Sequence, residues 1–249
     1  MEVYSLSPLE LAFCAGVLLI AYGLRGSTGF GGVVGMPLLA LVIPLKVLVP
    51  AWTLLGIASS LAILGHDRKR VSLRALVAFL PWCLVGIAIG LYFFKTLDAR
   101  TLARGLGALV LGYAAYTLWL SVRPSTMRPL PPRLMAPLGS VLSGLVGTIF
   151  GTMATLFFVI FLDTRALPKD AFRATISAML LTLAVVRGTG YYLVGEFTRE
   201  SLYVFALAFP VMLIAIWIGN RIHLKLDEVT FRRVVVATLV VSGVPLLFR

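Results

Sequence analysis

Apolar residues recur in runs long enough to cross a bilayer along nearly the whole of this 249-residue chain, and that spacing limits the fold more than any motif does. A hydrocarbon core of about 30 Å takes roughly 20 helical residues to span. The runs at 9–25 with 29–43, 47–65, 73–94, 103–121, 137–162, 171–194, 201–220 and 234–248 therefore read as membrane segments. Only 13% of the residues are charged and mean hydropathy is +1.01, which leaves too little polar surface for a soluble globule. Backbone groups in lipid must be paired within the protein. The fold class expected is an all-α integral membrane protein.

Two stretches share a ladder that apolar composition alone would not produce. Pro81, Leu84, Ile87, Ile89, Gly90, Leu97, Asp98, Thr101 and Arg104 recur as Pro210, Leu213, Ile216, Ile218, Gly219, Leu226, Asp227, Thr230 and Arg233, all at an offset of 129. This predicts two repeats of about four membrane segments, a common plan for transporters. Residues 1–122 form the first repeat and 137–249 the second. The polar connector 123–136, with Pro124, Pro129, Pro131 and Pro132, joins them within one membrane domain.

The N-terminus carries Glu2 and Glu10 and no basic residue before Arg25, so it lacks the n-region of a cleaved signal peptide. Phe13 stands where a lipoprotein signal needs a small residue ahead of Cys14. Cys14 and Cys83 read as small packing groups. The net charge of +12 reflects basic loops between spans rather than nucleic-acid binding.

Those basic loops also test topology. Eight single crossings spread Lys and Arg almost evenly over the two faces. If instead the glycine-broken segments 9–43 and 137–162 are re-entrant, three crossings remain per half. Fourteen basic residues, including Arg68, Lys69, Arg70, Arg123, Arg165 and Arg221, then share one face, against Lys46, Lys95, Arg100, Arg104, Arg199 and Arg249 on the other. Insertion favours such asymmetry. An odd number of crossings makes the repeats inverted, with the N-terminus outside. Residues 137–162 also suit one tilted or partly unwound crossing, so the two arrangements stay open.

The broken segments are the candidate site. Gly23-Leu24-Arg25-Gly26-Ser27-Thr28-Gly29-Phe30-Gly31-Gly32, followed by Gly35 and Pro37, has a counterpart in Ser143-Gly144-Leu145-Val146-Gly147-Thr148-Ile149-Phe150-Gly151-Thr152. Glycine lets backbone leave the helix and Pro37 removes a donor, which predicts unwinding near mid-membrane. Irregular backbone at that depth persists only where protein buries it or water reaches it. A half-helix starting there aims free N–H groups at the cavity, which suits an anion. Close packing of helices through small residues is the competing reading of the same glycines.

Charge sets the sign of the ligand. Arg25 and Arg187 alone fall well inside apolar sequence, while all ten Asp and Glu residues sit at termini, loops or segment ends. Buried cations without partners are costly and usually functional. The counterion is then the substrate, and a guanidinium fork fits the oxygens of a sulfonate, sulfite or carboxylate. Thr53, Ser59, Ser60, Thr175, Ser177 and Thr182 extend the polar lining, although such hydroxyls often bond their own helices. Trp52 and Tyr191 are placed to stack on an apolar substrate body.

An enzyme is not indicated. There is no His-Glu-x-x-His, no Cys/His cluster of metal-ligand spacing and no base near Ser59 or Ser60. No cofactor is expected, and the absence of a deep carboxylate or His argues against a proton relay.

The glycine-rich break with Gly29, Gly31, Gly32 and Pro37, the Ser/Thr-bearing span after it and the duplicated Pro-to-Arg ladder resemble the TauE/SafE family of sulfite and organosulfonate transporters. In the second half only Gly144, Gly147 and Gly151 fit, with no matching proline. The resemblance implies a multi-pass protein of the bacterial inner membrane. It further implies a secondary transporter for a small sulfur-containing oxyanion, working by alternating access. Arg25, Gly26, Ser27, Thr28, Gly29, Gly31, Gly32, Trp52, Gly147, Thr148, Gly151, Thr152, Arg187 and Tyr191 are the expected substrate-binding residues. A passive anion channel and a non-transporting membrane assembly protein are the alternatives. Direction, coupling ion, the substrate's organic group and oligomeric state are not legible in the residues.

Overall fold

The computed structural model describes residues 6–28, 32–67, 71–122, 132–154, 157–158, 169–221 and 228–249, and among them there is no strand. The first half comprises α1 (Pro8–Thr28), α2 (Gly32–Leu39), α3 (Leu45–Asp67), α4 (Leu73–Thr96) and α5 (Ala99–Val122). The second comprises α6 (Pro132–Phe150), α7 (Lys169–Val194), α8 (Arg199–Arg221) and α9 (Glu228–Phe248). Among the described residues, five stretches are long and apolar enough to cross a membrane: Pro8–Arg25, Leu45–Ala62, Leu73–Thr96, Ala174–Val194 and Arg199–Gly219.

Local sequence explains where these helices begin and stop. Ser7-Pro8-Leu9-Glu10 forms a capping box, in which Ser7 donates its backbone N–H to Glu10 Oε2 at 2.8 Å and Glu10 N–H returns to Ser7 Oγ at 3.3 Å. Pro8 fills the first helical position, where no N–H is needed. Asp98 precedes α5 and accepts from the Thr101 hydroxyl. The same Asp-x-x-Thr spacing, Asp227 to Thr230, stands at the start of α9. At Asp98 this part of the ladder is a helix-start signal. At the other end of α7, Gly195 adopts φ 78° and Glu196 N–H reaches back to the Tyr191 carbonyl at 2.9 Å.

The helices pack in exchanged pairs. Helix α4 lies along α6 while α8 lies along α1; α3 pairs with α7 and α5 with α9; and α3 touches α8 as α4 touches α7. Exchanging α1 with α6, α3 with α7, α4 with α8 and α5 with α9 leaves this set of pairings unchanged. Ladder glycines make the contacts. A methyl group on Gly219 of α8 would lie 2.3 Å from the Gly23 carbonyl oxygen of α1, and one on Gly90 of α4 would lie 2.8 Å from Thr148 Cβ of α6. Close approach of helix backbones is what small residues permit in a bilayer.

Several connections meet at one end of the bundle. Lys46 Nζ, at the start of α3, donates to the carbonyls of Phe94 and Lys95 at the end of α4, and lies 3.7 Å from Glu196 after α7. Arg249, following α9, donates to the Ala40 carbonyl at 2.6 Å. Helices α3, α5 and α8 therefore start at this end, and α4, α7 and α9 finish there. The outer surface is apolar, with Val77, Trp82, Tyr92, Leu213, Ile214 and Trp217 exposed, while Ser140, Ser143, Arg25 and Arg187 are buried inside. That distribution suits lipid as the surrounding solvent.

Helix α2 runs back along α1: Gly35 packs against Ala21, and Val34 and Leu38 share a cavity wall with Val17, Ile20 and Leu24. The first glycine-broken segment is thus a long helix followed by a short returning one. The unwinding expected at Gly23 and Gly26 is not found there. Helix α1 continues through Gly23 and Gly26 to Thr28, and residues 29–31 separate it from α2. Gly23 stays helical because it serves the contact with α8. Gly144 likewise stays within α6, where a methyl group would meet the Cys83 carbonyl oxygen at 2.3 Å. For these two glycines, close packing replaces the expected unwinding.

Candidate anion-binding site

Four elements converge on a small internal cavity of about 40 Å³. Helix α1 contributes Arg25, the start of α2 contributes Gly32 and Val33, α3 contributes Trp52 and Gly56, and α7 contributes Leu180, Leu183, Ala184 and Arg187. The segment 151–154 after α6 closes the wall with Gly151, Thr152, Met153 and Ala154. By the same measure a single water needs about 10–15 Å³, so the space takes about three small groups, the scale of an oxyanion head.

Both arginines are buried, at 9% exposure for Arg25 and 5% for Arg187. Arg25 donates to Ser60 Oγ at 2.8 Å, and Arg187 Nη1 donates to the Gly147 carbonyl. Arg187 Nε has no hydrogen-bond partner among the described residues. The described wall of the cavity holds no Asp or Glu. Two cations therefore face one space with only neutral partners, a costly arrangement unless an anion completes it.

The second break supplies the irregular backbone predicted for it. Gly151 has φ 70° and Met153 φ 63°, so the chain turns out of α6 through two left-handed residues. The left-handed region costs a residue with a Cβ about 1–2 kcal/mol, so Met153 is held there by its surroundings. It is 3% exposed. Thr152 between them donates its hydroxyl to the Gly32 carbonyl at 2.7 Å. The two breaks are tied directly to each other. At the opening of α2 the first N–H groups lack intrahelical acceptors and carry the helix's positive end.

An aromatic wall backs the arginines. The Tyr22 and Trp52 rings lie 5.1 Å apart at 42°, and Arg25 Cζ stands 5.9 Å from the Tyr22 ring centroid. A methyl group on Gly32 or Gly35 would lie 3.9 Å or 3.0 Å from the indole of Trp52. Absence of side chains at those positions is what lets the indole lie against α2.

Of the sequence-predicted residues, Arg25, Gly32, Trp52, Gly151, Thr152 and Arg187 line the cavity, and Gly147 accepts from Arg187 through its carbonyl. Thr148 and Tyr191 do not line it. Thr148 faces Gly90 of α4, and Tyr191 is buried against Phe94 with centroids 5.0 Å apart, its hydroxyl on the Thr148 carbonyl. Gly29 and Gly31 lie outside the described residues, and Gly26, Ser27 and Thr28 are described in their backbone alone, as the end of α1. The hydroxyls of Thr53, Ser59, Thr175 and Thr182 bond carbonyls one turn back on their own helices. Ser60 is the exception. Gly56, Met153 and the α7 residues Leu180, Leu183 and Ala184 were not anticipated. Trp52, Gly56 and Ser60 recur every four residues, a one-face stripe that could have revealed Gly56. Nothing in the sequence marks Met153.

The chain is 28% identical over 196 residues, covering 78% of its own length and 80% of the relative's, to the probable inner membrane transporter protein TsaS of Comamonas testosteroni. No solved structure matches. With its apolar helices and this kinship, the protein is a multi-pass protein of the inner membrane. Residues 13–246 match the family described as sulfite exporter TauE/SafE, and the chain belongs to that family of membrane transporters.

Proposed function

We propose that the protein is a secondary transporter that carries a small sulfur oxyanion, sulfite or a sulfonate, across the inner membrane by alternating access. One observation carries the reading: Arg25 and Arg187, both buried, line one oxyanion-sized cavity whose described wall contains no carboxylate. Arg187 Nε and the free N–H groups at the start of α2 bind the anion's oxygens, and Arg25, steadied by Ser60, supplies the second positive charge.

The two halves act as inverted repeats around this site. Support comes from the exchanged helix pairs and from chain direction: α3, α5 and α8 start at the end of the bundle where α7, α9 and α4 finish. The relevant motion is then a rocking of one half against the other, with the Thr152 to Gly32 bond as a joint between the breaks.

Purified protein in liposomes tests this with radiolabelled sulfite. A carrier gives saturable uptake and counterflow, and Arg25→Ala and Arg187→Ala abolish both. Single-channel currents in a planar bilayer would instead establish a pore, and absence of any sulfite or sulfonate flux would reject transport of these anions.

A further inference from the structure

A second cavity opens between α1 and α8 at the outer surface of the bundle. It measures about 330 Å³ and, apart from Cys14, its described wall is made of aliphatic and aromatic side chains. Leu11, Tyr203 and Leu207 on its rim are 44%, 41% and 46% exposed, whereas Leu39, Leu48 and Leu55 at its back are each 2% exposed. The space therefore runs from the lipid-facing surface into the packed core. Along α8, Tyr203, Leu207 and Val211 line it at every fourth position, one face of the helix, over about 12 Å. Half of a hydrocarbon core is about 15 Å, so this length takes in most of one leaflet. Arg199 continues the same stripe one turn further, at the start of α8. Its side chain is exposed and makes no ion pair or hydrogen bond among the described residues. Glu10, near the start of the adjacent α1, is already held by the Ser7 N–H and hydroxyl at 2.8 and 2.9 Å.

We infer that this cavity is a lipid site: it takes one acyl chain of an anionic phospholipid, entering between α1 and α8, with the phosphate of that lipid against Arg199. The site concerns the bilayer and not the transported anion, so it stands apart from the transport reading. Water needs polar partners that such a wall does not offer. Side chains around a space recover dispersion contacts only when apolar atoms fill it. The medium at the rim is hydrocarbon, and a chain from it supplies those atoms without moving a helix. The headgroup follows from the stripe. A chain lying along Tyr203, Leu207 and Val211 brings its phosphate to the level of Arg199, and an anionic lipid is the counter-charge drawn to an arginine at the membrane surface. Trp52 reports on the inner end: it lines this cavity as well as the cationic one, and at 3% exposure it lies out of reach of the bulk bilayer.

The experiment places the full chain in phosphatidylcholine vesicles that contain phosphatidylglycerol with brominated acyl chains. Trp82, Trp119 and Trp217, all exposed, are replaced by Phe so that Trp52 is the sole emitter. Bromine quenches an indole only at close range. Trp52 emission is expected to fall with rising brominated lipid, as does that of a parallel variant keeping the lipid-facing Trp82 alone. Ala208→Phe and Ala15→Leu, which fill the cavity from α8 and from α1, should each restore Trp52 emission, with thermal melting showing that the variant is folded. Brominated phosphatidylglycerol should quench Trp52 at about two- to fivefold lower mole fraction than brominated phosphatidylcholine, the gain of an exposed ion pair, and Arg199→Ala should remove that difference. Quenching of Trp82 without Trp52, or quenching of Trp52 that persists when the folded protein carries either filling, overturns the acyl-chain site. Equal quenching by the two lipids, or a preference that survives Arg199→Ala, overturns the headgroup contact and with it an anionic phospholipid as the occupant.

Discussion

The Thr152 hydroxyl donates to the Gly32 carbonyl at 2.7 Å, joining residues 120 positions apart across the two glycine breaks. Both lie on the wall of the cationic cavity. Thr152→Val keeps the shape and removes the donor, leaving a carbonyl in the protein interior without this partner. The expected cost is about 1–3 kcal/mol, read as a lower melting temperature in detergent. Sulfite uptake should fall with it, and Thr152→Ser should restore both. Unchanged melting and uptake in the valine variant would show that the breaks are not coupled through this bond.

Removing a buried cation should separate stability from activity. Arg25 and Arg187 are held by neutral partners alone among the described residues, so their charges are tolerated for function rather than for folding. Arg25→Ala and Arg187→Ala are expected to reduce sulfite uptake at least about 100-fold, since each removes a charge-assisted contact worth about 1.5–3 kcal/mol together with the site's electrostatics. Melting temperature should stay level or rise. A variant that loses stability and activity in step would place that arginine in the scaffold.

Glycines of the ladder should respond according to what a Cβ would meet. At Gly219 it would lie 2.3 Å from a backbone oxygen of α1, whereas at Gly16 on α1 nothing lies within 4 Å. Gly219→Ala must push α8 from α1 and is expected to cost about 1–3 kcal/mol. Gly16→Ala gains up to about 1 kcal/mol of helix propensity. Thermal melting of the two alanine variants gives the comparison directly. Equal shifts would mean that the α1–α8 approach is not set by Gly219.

At the start of α5, the Thr101 hydroxyl bonded to Asp98 holds that carboxyl below the usual carboxylate range. A folded-state pKa below the unfolded one contributes stability that is present above the unfolded value, near pH 4, and is lost as pH falls through the folded value. Thr101→Val should therefore lower the melting temperature slightly at pH 7 and make it less sensitive to acidification below about pH 4. A pH series of melting curves on both proteins checks the sign.

Much of the architecture is written along the chain. Apolar runs located the helices, because a bilayer demands a set length of helix and leaves the backbone no other partner, although the run 137–162 passes the end of α6 at Phe150. Ser7-Pro8-Leu9-Glu10 and Asp98 to Thr101 set helix starts through local bonds that need no tertiary context. The scarcity of deep carboxylates beside Arg25 and Arg187 pointed to an anion before any geometry was known. What local sequence could not settle was which glycines open a helix and which bring two helices together. Gly23 and Gly151 look alike in sequence, yet one lies against α8 within an unbroken helix and the other turns the chain at φ 70°. Thr148 stands one turn before the second break and Tyr191 one turn after Arg187, yet packing against α4 turns both away from the cavity. Periodicity ranks residues by helix face, but only the placement of neighbouring helices decides whether that face meets a cavity, a lipid or another backbone. Tertiary structure alone therefore set Met153 in the wall, bound Thr152 to Gly32 and stood Trp52 between a cationic space and an apolar one.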